Sequence, residues 1–406
     1  MKYKWRELSL GEITELVIDH RGKTPKKLGG DWSKGGYRAL SAKNIKTGRI
    51  VQPDTIRFVR EEMYHKWMKD EIQQGDIIIT SEAPFGQVLY WDSKEKVVLS
   101  QRLFGVRIRE EYDSRFVYYY MTTSDFQGEM AGRATGTTVV GLRQPELLKC
   151  VVRCPDLETQ KRIATILASI DEKILINEQI NENLEQQTKA LYQSWFVDYM
   201  PFEGIIPEGW HKGTLSDLAD AIICGKTPST KHSEYYGNEV PFITIPDMHN
   251  QIYAVSTERS LSTVGVASQS GKMLPRNSTC VSCIGTAGLV CMVAEASQTN
   301  QQINSIVPSP DVSPYYIYLL AKTLSDTIQN LGSGGSTICN LNKRQFSAIE
   351  VLIPSVESMQ KFDKTVGPLF EAIHINQVEN LRLAELRDTL LPKLMSGEID
   401  VSNIQL

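Results

Sequence analysis

Between residues 163 and 191 a position recurs every seven residues as Ile163, Ile170, Asn177, Leu184 and Leu191. The same frame returns near the C-terminus as Phe362, Leu369, Asn376, Leu383 and Leu390. A sustained heptad with one polar member in the same place predicts two long helices that pair as an antiparallel coiled coil. Asn177 and Asn376 then lie on the seam, where an asparagine lowers stability but fixes register, because a slipped pairing strands its amide. Two unrelated amphipathic helices, each packed on its own domain, is the alternative. A helix from Glu158 to Phe196 spans about 60 Å at ~1.5 Å per residue. Pro392 is expected to kink or end the second helix about one turn earlier than the first. Ahead of each helix, short apolar runs such as Ile77-Ile78-Ile79 and Val97-Val98-Leu99 are bounded by Gly, Pro and Asp, which predicts strands with helical pieces between them.

The heptads are one part of a longer repetition. Trp5-Arg6-Glu7-Leu8-Ser9-Leu10 is echoed by Trp210-His211-Lys212-Gly213-Thr214-Leu215, and Gly22-Lys23-Thr24-Pro25 recurs unchanged as Gly225-Lys226-Thr227-Pro228. Gly136-Thr137-Thr138-Val139 answers Gly335-Ser336-Thr337-Ile338, Pro155 answers Pro354, and Asn181 answers Asn380. Matches in one order with small drifts in offset mean two copies of one unit with loop-length differences. The expected fold class is therefore α+β: a tandem repeat of two mixed α/β domains, separated by two long antiparallel helices with pseudo-twofold symmetry. The segments are 1–157, first domain; 158–200, first helix; 201–353, second domain; and 354–406, second helix and tail.

Net charge is −4 over 406 residues, which does not suggest a nucleic-acid binder. Divided along the chain, residues 1–150 carry 25 Lys/Arg against 20 Asp/Glu, while 207–352 carry 9 against 11. The first domain is mildly basic, which permits DNA binding without proving it. Seven cysteines, an odd number in a large chain, argue against a disulfide framework and for a reducing cytoplasm. No apolar run approaches the ~20 residues of a membrane span.

Catalytic motifs are not legible. Gly22-Lys23-Thr24 and Gly225-Lys226-Thr227 resemble the end of a phosphate loop, but Val17 and Asp220 stand where that motif needs its first glycine. Cys280 and Cys283 have no second pair at zinc-ligand spacing, so buried core thiols are the better reading and no metal site is expected. The chain has no Gly-x-Ser-x-Gly elbow and no Asn/Asp-Pro-Pro-aromatic motif.

A variable mixed domain followed by a long helix, repeated once, resembles the specificity subunit of type I restriction-modification systems across essentially the whole chain. The residues that carry the resemblance are the Trp-x-x-x-x-Leu and Gly-Lys-Thr-Pro openings, the Gly-Thr/Ser-Thr segments and the Asn-bearing helices. The resemblance implies a non-catalytic protein with two target-recognition domains, each reading one half of an asymmetric, bipartite site on double-stranded DNA. It implies helices that set the gap and dock two modification subunits, which use S-adenosylmethionine to methylate adenine. Restriction subunits with ATP and Mg would join them, and this chain would hold no cofactor. A specificity subunit for another methyltransferase or phage-defence assembly, or a scaffold that does not bind DNA, would share much of this sequence pattern.

Candidate DNA contacts follow from side-chain chemistry. Lys23 and Thr24, with Lys226 and Thr227, offer a cation and a hydroxyl to phosphate, although the same residues could simply shape a turn. Arg133, Thr137 and Thr138, and likewise Ser333, Ser336 and Thr337, lie in Gly-rich stretches where backbone N–H groups can approach phosphate, or where a flexible connector to the helix would sit. For base edges the candidates are Lys43, Asn44, Gln101 and Arg102 in the first copy and Asn300, Gln301 and Gln302 in the second. Arg suits guanine, and Asn or Gln suits adenine, through paired major-groove hydrogen bonds.

Overall fold

The computed structural model describes residues 5–136, 140–333, 339–402 and 404. The four segments drawn from the sequence regroup into two compact units. Unit 1 comprises 1–172 with 385–406, and unit 2 comprises 173–384.

Unit 1 is built on a four-stranded antiparallel sheet in the order Thr14–Asp19, Leu103–Ile108, Ile77–Thr80, Val88–Tyr90. Ile77-Ile78-Ile79 is a continuous apolar run because both faces of the sheet are covered. Ile77 and Ile79 join one core with the helix Ser114–Met121, while Ile78 points into a second core with Leu40, Tyr64 and Trp67. Burial of each such side chain contributes roughly 1.5–3 kcal/mol. Tyr37–Leu40 pairs antiparallel with Arg57–Val59 and parallel with Val98–Leu99. Arg6–Ser9 closes on Val151–Cys154 just before the long helix Leu157–Phe196. That helix begins where the Asp156 carboxylate caps the Thr159 amide at 3.0 Å.

Unit 2 repeats this plan strand for strand. Ala219–Cys224, Ile303–Pro308, Thr279–Ser282 and Val290–Val293 stand in the same order, extended by Tyr253–Ala254. Val240–Ile243 pairs parallel with Gln298–Thr299, as Tyr37–Leu40 does with Val98–Leu99. His211–Thr214 closes on Glu350–Ile353 before the second long helix, Val356–Met395. Cys280 faces Cys291 across adjacent strands, and Cys280 and Cys283 are both buried, with free thiols, as core residues.

Within unit 2 the long helices run antiparallel. Asn177, with no exposed surface, donates to Asn380 Oδ1 at 2.8 Å and to Glu379 Oε2 at 2.7 Å, and its own oxygen accepts from Lys173 Nζ at 3.1 Å. Asn376 donates to Asn181 Oδ1 at 2.9 Å. Asn177 and Asn376 are repeats of one another, as are Asn181 and Asn380, so exchanging the copies maps one asparagine pair onto the other. Farther along, Phe196 packs against Phe362 at 4.8 Å between ring centroids. In unit 1, Asp171 accepts from the Tyr119 hydroxyl at 2.7 Å and from Arg387 at 2.9 Å, which ties both helices to the domain.

The seven-residue frame marks the seam without tracing the whole buried face. Ile163, Ile170, Asn177 and Phe362 are buried, whereas Leu184, Leu191, Leu369, Asn376, Leu383 and Leu390 are half-buried. In the second helix the buried stripe is Phe362, Val366, Phe370 and Ile373. A straight helix drifts ~20° per heptad away from a strict seven-residue frame, and packing on a domain needs a wider stripe than pairing does. Pro392 does not shorten the second helix: both helices are 40 residues long, and Pro392 sits inside the last turn. It removes one i→i−4 bond and crowds the Asp388 carbonyl without ending the helix, and Gly397 at φ +75° supplies the left-handed exit.

Candidate nucleic-acid interface

In unit 1 the loops after Thr14–Asp19, Tyr37–Leu40 and Val98–Leu99 converge on a cleft of about 270 Å³. Lys23, Thr24, Lys43, Gln101 and Arg102, separated by up to 79 positions in sequence, all line it. Arg57, Trp32 and Trp67 line it as well. Four cationic side chains and no carboxylate are among its lining residues, so the mild basicity of this half of the chain is concentrated here. Arg102 occupies the left-handed region at φ +67°, a conformation that costs a non-glycine residue of order 1–2 kcal/mol. Its guanidinium meets Glu82 at 3.0 Å with 45% of the side chain exposed, a pairing weak enough for a base edge or phosphate to displace. Lys43 and Gln101 are exposed.

The Gly22-Lys23-Thr24-Pro25 loop is held from within. Lys23 Nζ donates to the Trp67 carbonyl at 2.8 Å and lies 3.3 Å from His20 Nδ1. Burial, and secondarily the Lys23 charge, push the His20 pKa below its ordinary value, so a neutral imidazole faces the ammonium. Lys23 thus anchors the loop while lining the cleft. Thr24 Oγ1 accepts from the Lys27 amide at 3.3 Å.

The matching loops of unit 2 make a site of different chemistry. Gly225 packs so closely on the Thr299 and Asn300 carbonyls that a Cβ would fall 2.2–2.3 Å from them. The Lys226 amide donates to Thr299 O at 2.9 Å, and Gln269 Nε2 donates to Lys226 O at 2.9 Å. Thr227 Oγ1 donates to Gln301 Oε1 at 2.6 Å, which leaves the exposed Gln301 amide presenting its NH2 outward. Lys226 is exposed, so this loop pair sets a cation beside hydroxyl and amide groups.

The type I restriction modification DNA specificity domain model matches residues 2–186 and again 207–384. The chain belongs to this family. Among specificity-domain relatives, the type I restriction enzyme HindI specificity subunit of Haemophilus influenzae is 35% identical over 82% of this chain and 88% of its own length. The MjaIX specificity subunit of Methanocaldococcus jannaschii is 25% identical over 82% of this chain and 79% of its own. The crystal structure of a type I restriction-modification S subunit from M. genitalium covers 97% of this chain and 96% of its own at a TM-score of 0.63 and 15% identity, which shows the shared fold.

Several residues of this specificity-domain chain lie apart from the two loop clusters or face inward. Asn44 is 1% exposed, with its amide engaged by Ser41, Thr55 and nearby carbonyls; it shapes the loop and has no edge left for a base. Asn300 is likewise buried and exchanges hydrogen bonds with Gln302 at 3.0 Å. Arg133 ends the helix Ser124–Arg133, pairs with Glu129 at 2.9 Å and lines a separate hollow with Glu7, Asp125 and Arg153. Ser333 lies in the helix Ser325–Ser333 and bonds back to the Gln329 carbonyl. Both glycine-rich stretches therefore begin as helix ends, not as open loops. Thr137, Thr138, Ser336 and Thr337 fall outside the described residues. Arg57, Trp32 and Trp67 escaped the sequence reading because no repeat or motif marks them.

Proposed function

We propose that this chain is the DNA sequence-specificity subunit of a type I restriction-modification enzyme, with each unit recognising one half of an asymmetric, bipartite site. The observation that carries the proposal is the same fold twice, presenting a cation-lined cleft in one copy and an amide- and hydroxyl-lined loop pair in the other. Two such heads suit two unlike half-sites, as paired reading heads do in dimeric DNA-binding proteins. Paired helices of fixed length suit a constant gap better than a flexible tether would. Arg102 and Gln301 are the base-reading candidates, and Lys43, Arg57, Lys226 and Thr24 the phosphate candidates. Modification subunits dock on the helices and bring S-adenosylmethionine; restriction subunits bring ATP and Mg chemistry. This chain carries no catalytic group and acts in the cytoplasm.

Coexpression with a cognate modification subunit, followed by long-read mapping of methylated adenines, tests the proposal. A split motif with two unlike halves is expected. A continuous motif, or no methylation beyond that of the modification subunit alone, overturns it.

A further inference from the structure

We infer that the unit 1 cleft is a subsite for one unstacked nucleotide, its base against Trp32 and Arg57 and its phosphate against Lys43 and Arg102. The inference rests on the DNA-recognition reading above and names what that cleft takes. Size comes first. At about 270 Å³ the cleft lies at the low end of small-molecule sites, which suits a single base and its sugar.

The walls then select the ligand. Trp67 is fully buried and backs the cleft, so Trp32 is the indole that the cleft presents. Trp32 is half-buried, with its ring 6.0 Å from that of Trp67 and the Arg57 guanidinium 5.1 Å above it. Indole and guanidinium planes are the surfaces on which unpaired bases stack. The exposed cations Lys43, Arg57 and Arg102 supply the charge that a phosphate requires. A base within a duplex presents neither face, so a nucleotide held here has left the stack.

The test uses the complex with its modification subunits on duplexes carrying the methylated site. Each purine in turn is replaced by 2-aminopurine, and each pyrimidine by pyrrolocytosine; both brighten when unstacked. The expected result is a bright position, distinct from the methylated adenine, in the half recognised by unit 1. Trp32→Ala removes that signal and weakens binding by up to roughly 5- to 150-fold, the worth of one aromatic–base stack. Trp32→Phe keeps a stacking ring and should retain part of the signal; Arg57→Gln, at an exposed position, lowers affinity without threatening the fold. Thymidine monophosphate titrated into the chain alone, followed by tryptophan fluorescence, distinguishes a free nucleotide from one supplied by DNA. Saturable quenching without a bright DNA position assigns the subsite to the free nucleotide. Normal methylation with neither signal overturns the inference and leaves the DNA reading standing. Failure of the wild-type complex to bind DNA overturns both.

Discussion

Replacing Asn177 by alanine removes the best-buried polar contact of the helix pair. Asn177 has no exposed surface and joins Lys173, Glu379 and Asn380. Lys173 and Glu379 are each close to half exposed and keep their own ion pair at 3.2 Å, so their loss is small. The cost falls on Asn380, which is half-buried and loses the amide that satisfied its oxygen, a penalty of about 1–3 kcal/mol. Asn380→Ala should cost a similar amount, and the double variant should recover part of it, with a coupling of about 0.5–2 kcal/mol. The Asn181–Asn376 pair rests on one bond between half-buried groups and should couple more weakly, by about 0.5 kcal/mol. A chain of two units does not satisfy two-state melting, so native-state hydrogen exchange on residues 173–196 is the suitable assay. Unchanged protection in Asn177→Ala, or additive single and double variants, would refute the claim that these asparagines hold the register.

Other contacts give further expectations. Thr227→Val frees the Gln301 amide to rotate and should blur the second half of the methylated motif while leaving the first intact; Thr227→Ser should restore it. Hydrogen bonds from Asn177 and then Lys173 hold the Glu379 carboxyl below its ordinary pKa. Its contribution to the helix pair is therefore complete above the ordinary glutamate value and disappears as pH falls through the lowered one, a loss that Glu379→Gln should abolish in exchange measured against pH. Gly225→Ala places a methyl against two carbonyls and should destabilise unit 2 by more than about 1 kcal/mol, seen as lower hydrogen-exchange protection of its strands.

The repeat, the strand-bearing domains and the long helices were legible because they rest on periodicity and order, which survive in a single sequence. Local chemistry also singles out Lys23, Thr24, Lys43, Gln101 and Arg102, which the fold brings to one cleft. Local chemistry alone could not show which way a side chain turns: Asn44 and Asn300 have the right groups for reading bases but face inward to build their loops. Nor could it find Arg57, Trp32 and Trp67, which reach the cleft only through tertiary packing. Pro392 misled because one proline disfavours a helix without ending it, and packing carries the helix three residues further.

Exchanging residues 207–353 for the same segment of another specificity subunit, then mapping methylated adenines, tests most directly whether each copy acts on its own. One half of the motif should change, with the other half and the gap preserved. A change in both halves, or in neither, would contradict the account.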